Sequence, residues 1–248
     1  MGTGRAVQAR ITSHGLFADV RAQKDRDAEV PMKIGIIGAG RVGGNIARRF
    51  SLAGHDVTVS FARDRPQLAA LAAEIGATAG EPAGAAAAEV VVLSVPWGAI
   101  DEALGQTGPL AGRIVIDTTN QFGAGGWLDL GGRTAARVNA DRMPGARYTK
   151  CFNTLTSAFQ AETAGRAGDD RVVQWIAGDD PGAKAAVAGL VSDAGYVPID
   201  LAGIDGCAVM EAPPRPGAVY GEEYRKADAE AVVRAVRAGQ PIPPTPAY

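Results

Sequence analysis

The stretch Lys33-Ile34-Gly35-Ile36-Ile37-Gly38-Ala39-Gly40-Arg41-Val42-Gly43 constrains what this chain can fold into more than any other. A short apolar run enters Gly-x-Gly-x-x-Gly, and a segment with helical spacing follows. In a chain with 33 glycines the pattern alone decides little, so its flanks carry the reading. Strand before and helix after make it the opening βαβ unit of a dinucleotide-binding fold. Gly38 allows the tight turn, Gly40 lets backbone approach a pyrophosphate, and Gly43 lets helix and strand pack closely. The first helical N–H groups, following Gly38-Ala39-Gly40 through Arg41, Val42 and Gly43, then hold phosphate oxygens at the positive end of the helix dipole. The Arg41 side chain either touches phosphate or points to water.

The second strand, Val57-Thr58-Val59-Ser60, selects between dinucleotides. An NAD site carries a carboxylate at its end, about 20 residues past the glycines, to bind the ribose 2′-hydroxyl. Here Ser60-Phe61-Ala62-Arg63-Asp64-Arg65 stands instead. A hydroxyl and guanidinium groups suit a 2′-phosphate, so NADP is favoured, with Ser60 and Arg63 as its readers. On that reading Ser60→Asp shifts preference toward NADH. Asp64, before Arg65-Pro66, reads as the N-cap of the next helix. Arg65 reads equally as a second phosphate ligand or a solvated helix-start residue.

Strand and helix patterns keep alternating: Glu89–Val95 is a strongly apolar strand, Ile114–Asp117 another, Tyr148–Phe152 a further one. Right-handed crossovers between them predict an α/β, Rossmann-type doubly wound parallel sheet. Residues 32–154 form the NADP-binding domain and 155–248 a smaller C-terminal substrate-pocket region with a short α/β extension. Within the latter, Pro198 marks an edge strand and Glu222–Ala238 an amphipathic surface helix. Residues 1–31 are polar, without periodicity and without the apolar core of a secretion signal, and read as a disordered extension or an upstream start. Gly123–Gly132 reads as a mobile loop.

Composition narrows the partners. A net charge of −2 gives no electrostatic case for nucleic acid or anionic membranes, and no apolar run approaches the length that spans a bilayer. Cys151 and Cys207 have no metal-ligand spacing, so no metal site and a reduced, cytoplasmic setting are expected. Neither His14 nor His55 is placed for catalysis, and no nucleophile–base set or carboxylate pair is evident.

Several motifs together resemble NADP-dependent oxidoreductases of the coenzyme F420-dependent type. They are Ile34-Gly35-Ile36-Ile37-Gly38-Ala39-Gly40, the Ser-x-x-Arg after the second strand, Leu93-Ser94-Val95-Pro96-Trp97, Val115-Ile116-Asp117-Thr118-Thr119-Asn120 and Lys150-Cys151-Phe152-Asn153-Thr154-Leu155. The likeness is firm through Leu155 and loose to about Asp200. It implies direct hydride transfer between nicotinamide C4 and C5 of the deazaflavin F420, acting as co-substrate, with no catalytic side chain required. It also leaves room for a homodimer, for which the last helix offers a face.

The crevice lies beyond the carboxyl ends of the strands. There Ser94, Val95 and Pro96 neighbour the adenosine-side ribose and pyrophosphate, and Asn120 with Asn153 orients carboxamide or ring carbonyls. Trp97 covers the cofactor or packs a helix start, and Met210 walls the ring pocket or fills core. The segments Phe122–Gly132 and Gly203–Tyr248 depart from the family pattern, which leaves a flavin, quinone or imine reductase, or a non-catalytic dinucleotide sensor, as alternatives. An imine reductase of the pyrroline-carboxylate type normally needs a long helical dimerisation domain, for which the tail reads as too short.

Overall fold

The computed structural model describes residues 31–61 and 63–248. The extension expected over residues 1–31, and His14 within it, therefore falls almost wholly outside the described residues.

Met32–Tyr248 is one compact unit built on a single eight-stranded sheet. Strand β1 (Lys33–Ile37) is followed by helix α1 (Arg41–Ala53), β2 (Asp56–Ser60), α2 (Arg65–Ile75), β3 (Thr78–Ala79), α3 (Pro82–Ala86) and β4 (Val90–Leu93). A 3-10 turn at Trp97–Ala99 leads into α4 (Ile100–Thr107), then β5 (Ile114–Asp117), a hairpin of β6 (Phe122–Gly123) and β7 (Gly126–Trp127), α5 (Ala135–Arg142) and β8 (Arg147–Lys150). The chain continues through α6 (Ser157–Thr163), β9 (Val173–Ala177), α7 (Pro181–Asp193), β10 (Val197–Ala202), a 3-10 segment at Ile204–Met210 and α8 (Lys226–Arg237).

The strand order is β10-β9-β8-β5-β4-β1-β2-β3. Pairing is parallel throughout, except that β9 meets β8 antiparallel through Lys150 and Ala177. The doubly wound sheet is thus as the alternation predicts, and the order reverses between β1 and β4. That reversal opens a crevice at the carboxyl edge.

Successive strand residues feed opposite faces. Ile34, Ile36, Val90, Val92, Ile114 and Ile116 join a core under α1, α2 and α7; Ile37, Val91, Leu93 and Val115 join one under α3, α4, α5 and α8. Two covered faces explain why these strands read as unbroken apolar runs. Gly35 is fixed by the same packing: a Cβ there would lie 1.9 Å from the Ala85 carbonyl oxygen, so α3 sits directly on β1.

Three expectations need correction. No boundary falls at 154/155, because β9 and β10 extend the same sheet and share its cores. The Gly123–Gly132 loop contains the β6–β7 hairpin, with Phe122 and Trp127 ring centroids 3.8 Å apart. Helix α8 spends its apolar face, Ala229, Val232 and Ala235, inside the chain beside β10 rather than offering it outward. Pro198 does sit on an edge strand. No helix among the described residues is long and apolar enough to cross a membrane.

Candidate functional site

At the carboxyl edge a cavity of about 750 Å³ opens between β1, β2 and β4. Gly38, Ala39 and Gly40 form one wall, Phe61, Arg63, Asp64 and Arg65 a second, and Ser94, Val95 and Pro96 a third.

Each glycine meets a different demand. Gly38 has φ 100°, and a Cβ there would lie 2.3 Å from the Ser94 carbonyl oxygen. Gly43 comes so close to β1 that a Cβ would lie 2.0 Å from the Gly38 carbonyl oxygen. At Gly40 a Cβ would meet nothing within 4 Å, so the bare backbone faces open space. Among the described helices α1 is one of four, with α3, α4 and α8, whose N-cap residue makes no side-chain hydrogen bond. Asp64, Thr134, Thr156 and Asp180 cap α2, α5, α6 and α7, each accepting a backbone N–H. Gly40 caps α1 with no side-chain acceptor and no acid in the first turn. The first-turn N–H groups of a 13-residue helix are thereby left for an external acceptor.

The far wall reads the ribose end. Phe61, just past β2, has φ 53°, a left-handed conformation that costs a non-glycine residue about 1–3 kcal/mol and gathers at functional positions. Arg63 lines the cavity two residues on. Arg65 lines it as well, but its guanidinium is held by the Glu81 carboxylate at 2.5 Å and 3.1 Å. Ser60 is not at this wall. Its side chain is buried and its hydroxyl donates to the Ile36 carbonyl at 3.1 Å, pinning β2 to β1. The last strand residue points into the sheet because side chains alternate. Ser60→Asp would therefore bury an unpaired carboxylate rather than retune cofactor choice.

The other expected site residues separate. Arg41, Val42 and Gly43 form the first turn of α1, next to Gly40 on the cavity wall. Trp97 is buried under the Arg142 guanidinium, 4.9 Å from its ring centroid, and does not line the cavity. Met210 is wholly buried in core. Asn120 and Asn153 cross-link the ends of β5 and β8. The Asn120 amide donates to the Asn153 carbonyl at 2.9 Å, and the Asn153 amide donates to Asn120 Oδ1 at 3.2 Å and the Met210 carbonyl at 2.7 Å. Asn153 Oδ1 is a buried acceptor left without a partner. The asparagines and Met210 thus form one connected group beside the cavity rather than in it.

Behind that group lies an ionic cluster that the sequence pattern does not announce. Asp117 and Lys150 are register partners on β5 and β8, both wholly buried, with Nζ 3.3 Å from Oδ2. Lys150 also donates to the Thr119 carbonyl at 2.8 Å and lies 3.9 Å from Glu211. Burial alone would raise the Asp117 pKa. The Lys150 charge and hydrogen bonds from Asn139, Tyr148 and Thr119 outweigh it and hold the carboxyl below its ordinary range. Glu211 caps α5 from outside the helix, accepting the Ala135 and Ala136 N–H groups at 2.8 Å and 2.7 Å. The hint in sequence is that β5 and β8 end on opposite charges.

The remaining candidates are structural. His55 bridges the Met32 N–H and Asp193, at 3.3 Å and 3.2 Å. Burial pushes the Cys207 thiol up to about 12 and Cys151 higher still, so neither is a thiolate nucleophile. Among the described residues no cluster of His, Cys, Asp and Glu is placed to hold a metal.

With this geometry in place, comparison with known proteins identifies the nucleotide half. Residues 33–121 match the family described as NADP oxidoreductase coenzyme F420-dependent. The matched stretch spans the glycine turn, the ribose wall and the β4 and β5 ends. Two solved structures are similar to the chain over most of its length. A hypothetical protein from Sinorhizobium meliloti shares 29% identity at TM-score 0.71, covering 79% of this chain and 96% of that one. A protein of Arthrobacter sp. FB24, provisionally named an F420-dependent NADP reductase, shares 28% at TM-score 0.62, covering 71% and 87%. A reductive aminase from Aspergillus terreus, solved with NADPH and ethyl levulinate, shares 24% at TM-score 0.54 over 72% of this chain and 57% of its own, a likeness of fold. No curated protein matches the chain.

Proposed function

We propose that this protein is an NADPH-dependent reductase that exchanges hydride directly between nicotinamide C4 and C5 of a deazaflavin coenzyme of the F420 type, in the cytoplasm. The observation that carries the nucleotide half is the uncapped, acid-free start of α1 opening, through Gly40, into a cavity with Arg63 on its ribose wall. The residues fit a dinucleotide: open space where a diphosphate must approach backbone, free helical N–H groups and a guanidinium at the end of β2. When bound, the nicotinamide supplies the hydride.

The chain's own work is placement. First-turn N–H groups of α1 fix the diphosphate, Arg63 holds a 2′-phosphate, and the linked Asn120 and Asn153 hold the ends of β5 and β8 in register. Next to the Trp97–Ala99 turn stands the β6–β7 hairpin, with Phe122, Trp127 and Leu128 each at least 40% exposed and Tyr220 edge-on to Trp127. Solvated aromatics at this edge supply a stacking surface for a flat acceptor, and its burial excludes water from the transfer. The family's description and the Arthrobacter relative's name favour a deazaflavin as that acceptor.

The test is to mix the protein with NADPH and oxidised F420, FMN or a simple quinone and follow nicotinamide absorbance. Loss with F420 alone is the expected result. Loss with FMN or quinone would move the acceptor to that class. Tight NADPH binding without loss to any acceptor would overturn the enzyme reading in favour of a sensor.

A further inference from the structure

Two arginines line the ribose wall, and they differ in one respect. Arg63 makes no hydrogen bond or ion pair among the described residues, whereas Arg65 is gripped by both oxygens of Glu81. Glu81 is itself a cavity residue. It follows Gly80, whose N–H is bonded to the Val59 carbonyl at 3.0 Å, so the loop after β3 is tied to the end of β2. An acid thus stands permanently beside the place where a 2′-phosphate must sit.

Resting on the NADPH reading above, we propose that Glu81 is a specificity-determining residue, a resident anion that Arg65 exchanges for the 2′-phosphate when NADP(H) binds. The exchange is feasible because the pair is so exposed, with 75% and 65% of the two side chains open to water. Ion pairs in such surroundings are screened and hold each other weakly. A phosphate offers Arg65 a planar-fork match like a carboxylate, with nearly twice the charge. Glu81 then competes with the phosphate for Arg65. NADH brings no anion to the wall and leaves the pair undisturbed. Glu81 therefore lowers affinity for the phosphorylated cofactor without touching it, so its removal should tighten binding. Asp64 cannot serve the same way, because its carboxylate accepts the Gln67 N–H as the α2 cap.

The test uses calorimetric titration of the full chain with NADPH, NADH, 2′,5′-ADP and 5′-AMP, in wild type, Glu81→Gln, Arg65→Ala and the double variant. Arg65→Ala should weaken NADPH and 2′,5′-ADP roughly tenfold, leaving NADH and 5′-AMP unchanged. Glu81→Gln should tighten NADPH and 2′,5′-ADP roughly two- to fivefold, again leaving the others unchanged. In the Arg65→Ala background the same substitution should do nothing. Partner exchange is overturned if Glu81→Gln fails to tighten binding, or if it tightens equally without Arg65, which would make it a simple field effect. If wild type ignores NADPH altogether, the NADPH reading itself fails, a result distinct from either of these.

Discussion

The two sides of the crevice are built on different principles. On the nucleotide side the wall at the Gly38–Gly40 turn and the start of α1 is backbone, shaped by what each glycine allows, and Arg63 adds a side chain at the ribose wall. On the acceptor side the surface is side chain. Asn120 is bonded to Asn153, Asn153 and Gln121 donate to the Met210 and Ala212 carbonyls, and Trp127 of the hairpin meets Tyr220 edge-on. Backbone geometry admits few sequences, so the first side is legible as a motif. Side-chain geometry admits many, so the second side is not.

The glycines give the sharpest way to break this contrast. Gly43→Val drives a side chain into the Gly38 carbonyl and should abolish the folded state, read as loss of the cooperative thermal transition. Gly40→Ala meets nothing and should melt as wild type does, yet lose NADPH affinity by at least about tenfold, equivalent to about 1.4 kcal/mol. If both variants lost stability together, the turn would be structural and the nucleotide side no more special than the other.

Lys150→Met probes how the acceptor side is held. It leaves Asp117 as a buried carboxylate without its counter-ion and should cost about 3–5 kcal/mol in urea unfolding, with Asp117→Asn in the same chain restoring part of it. The pH dependence has a definite sign. Asp117 titrates lower when folded than when unfolded, so its stabilisation is present above the ordinary value of 3.8 and is lost as pH falls through the depressed folded value. Acid unfolding should therefore be steep between 3.8 and the depressed folded value in wild type, and flatter there in the double variant.

The smallest effect is expected at the hairpin. Trp127→Ala should raise KM for the acceptor about three- to tenfold while leaving NADPH affinity and melting temperature unchanged. A matching change in NADPH affinity would show that the hairpin belongs to the nucleotide side instead.

Legibility follows the same division. The Gly38–Gly43 turn, the Asp64 cap, the apolar strands and the edge position of Pro198 could all be read from the sequence, because local rules fix them. Ser60 was misplaced by one pleat: its hydroxyl suits a phosphate, but alternation turns the last residue of β2 inward. Met210 and Trp97 read as pocket wall or packing alike, because apolar residues near a motif serve core and ligand equally, and burial decides for packing. The Asp117–Lys150 pair was invisible because parallel register, not spacing along the chain, brings the two residues together. Arg65 could not be separated from Arg63 without seeing Glu81, which lies 16 residues away and is brought in by β3.

The central claim is that the end of α1 and the wall after β2 together bind a 2′-phosphorylated dinucleotide. Calorimetry of the purified protein with NADPH and NADH, repeated in Arg63→Ala, tests it most directly. The account predicts saturable one-site binding that favours NADPH, and a loss of roughly ten- to hundredfold for NADPH alone when Arg63 is removed. Equal affinity for the two cofactors, unaffected by Arg63→Ala, would contradict it.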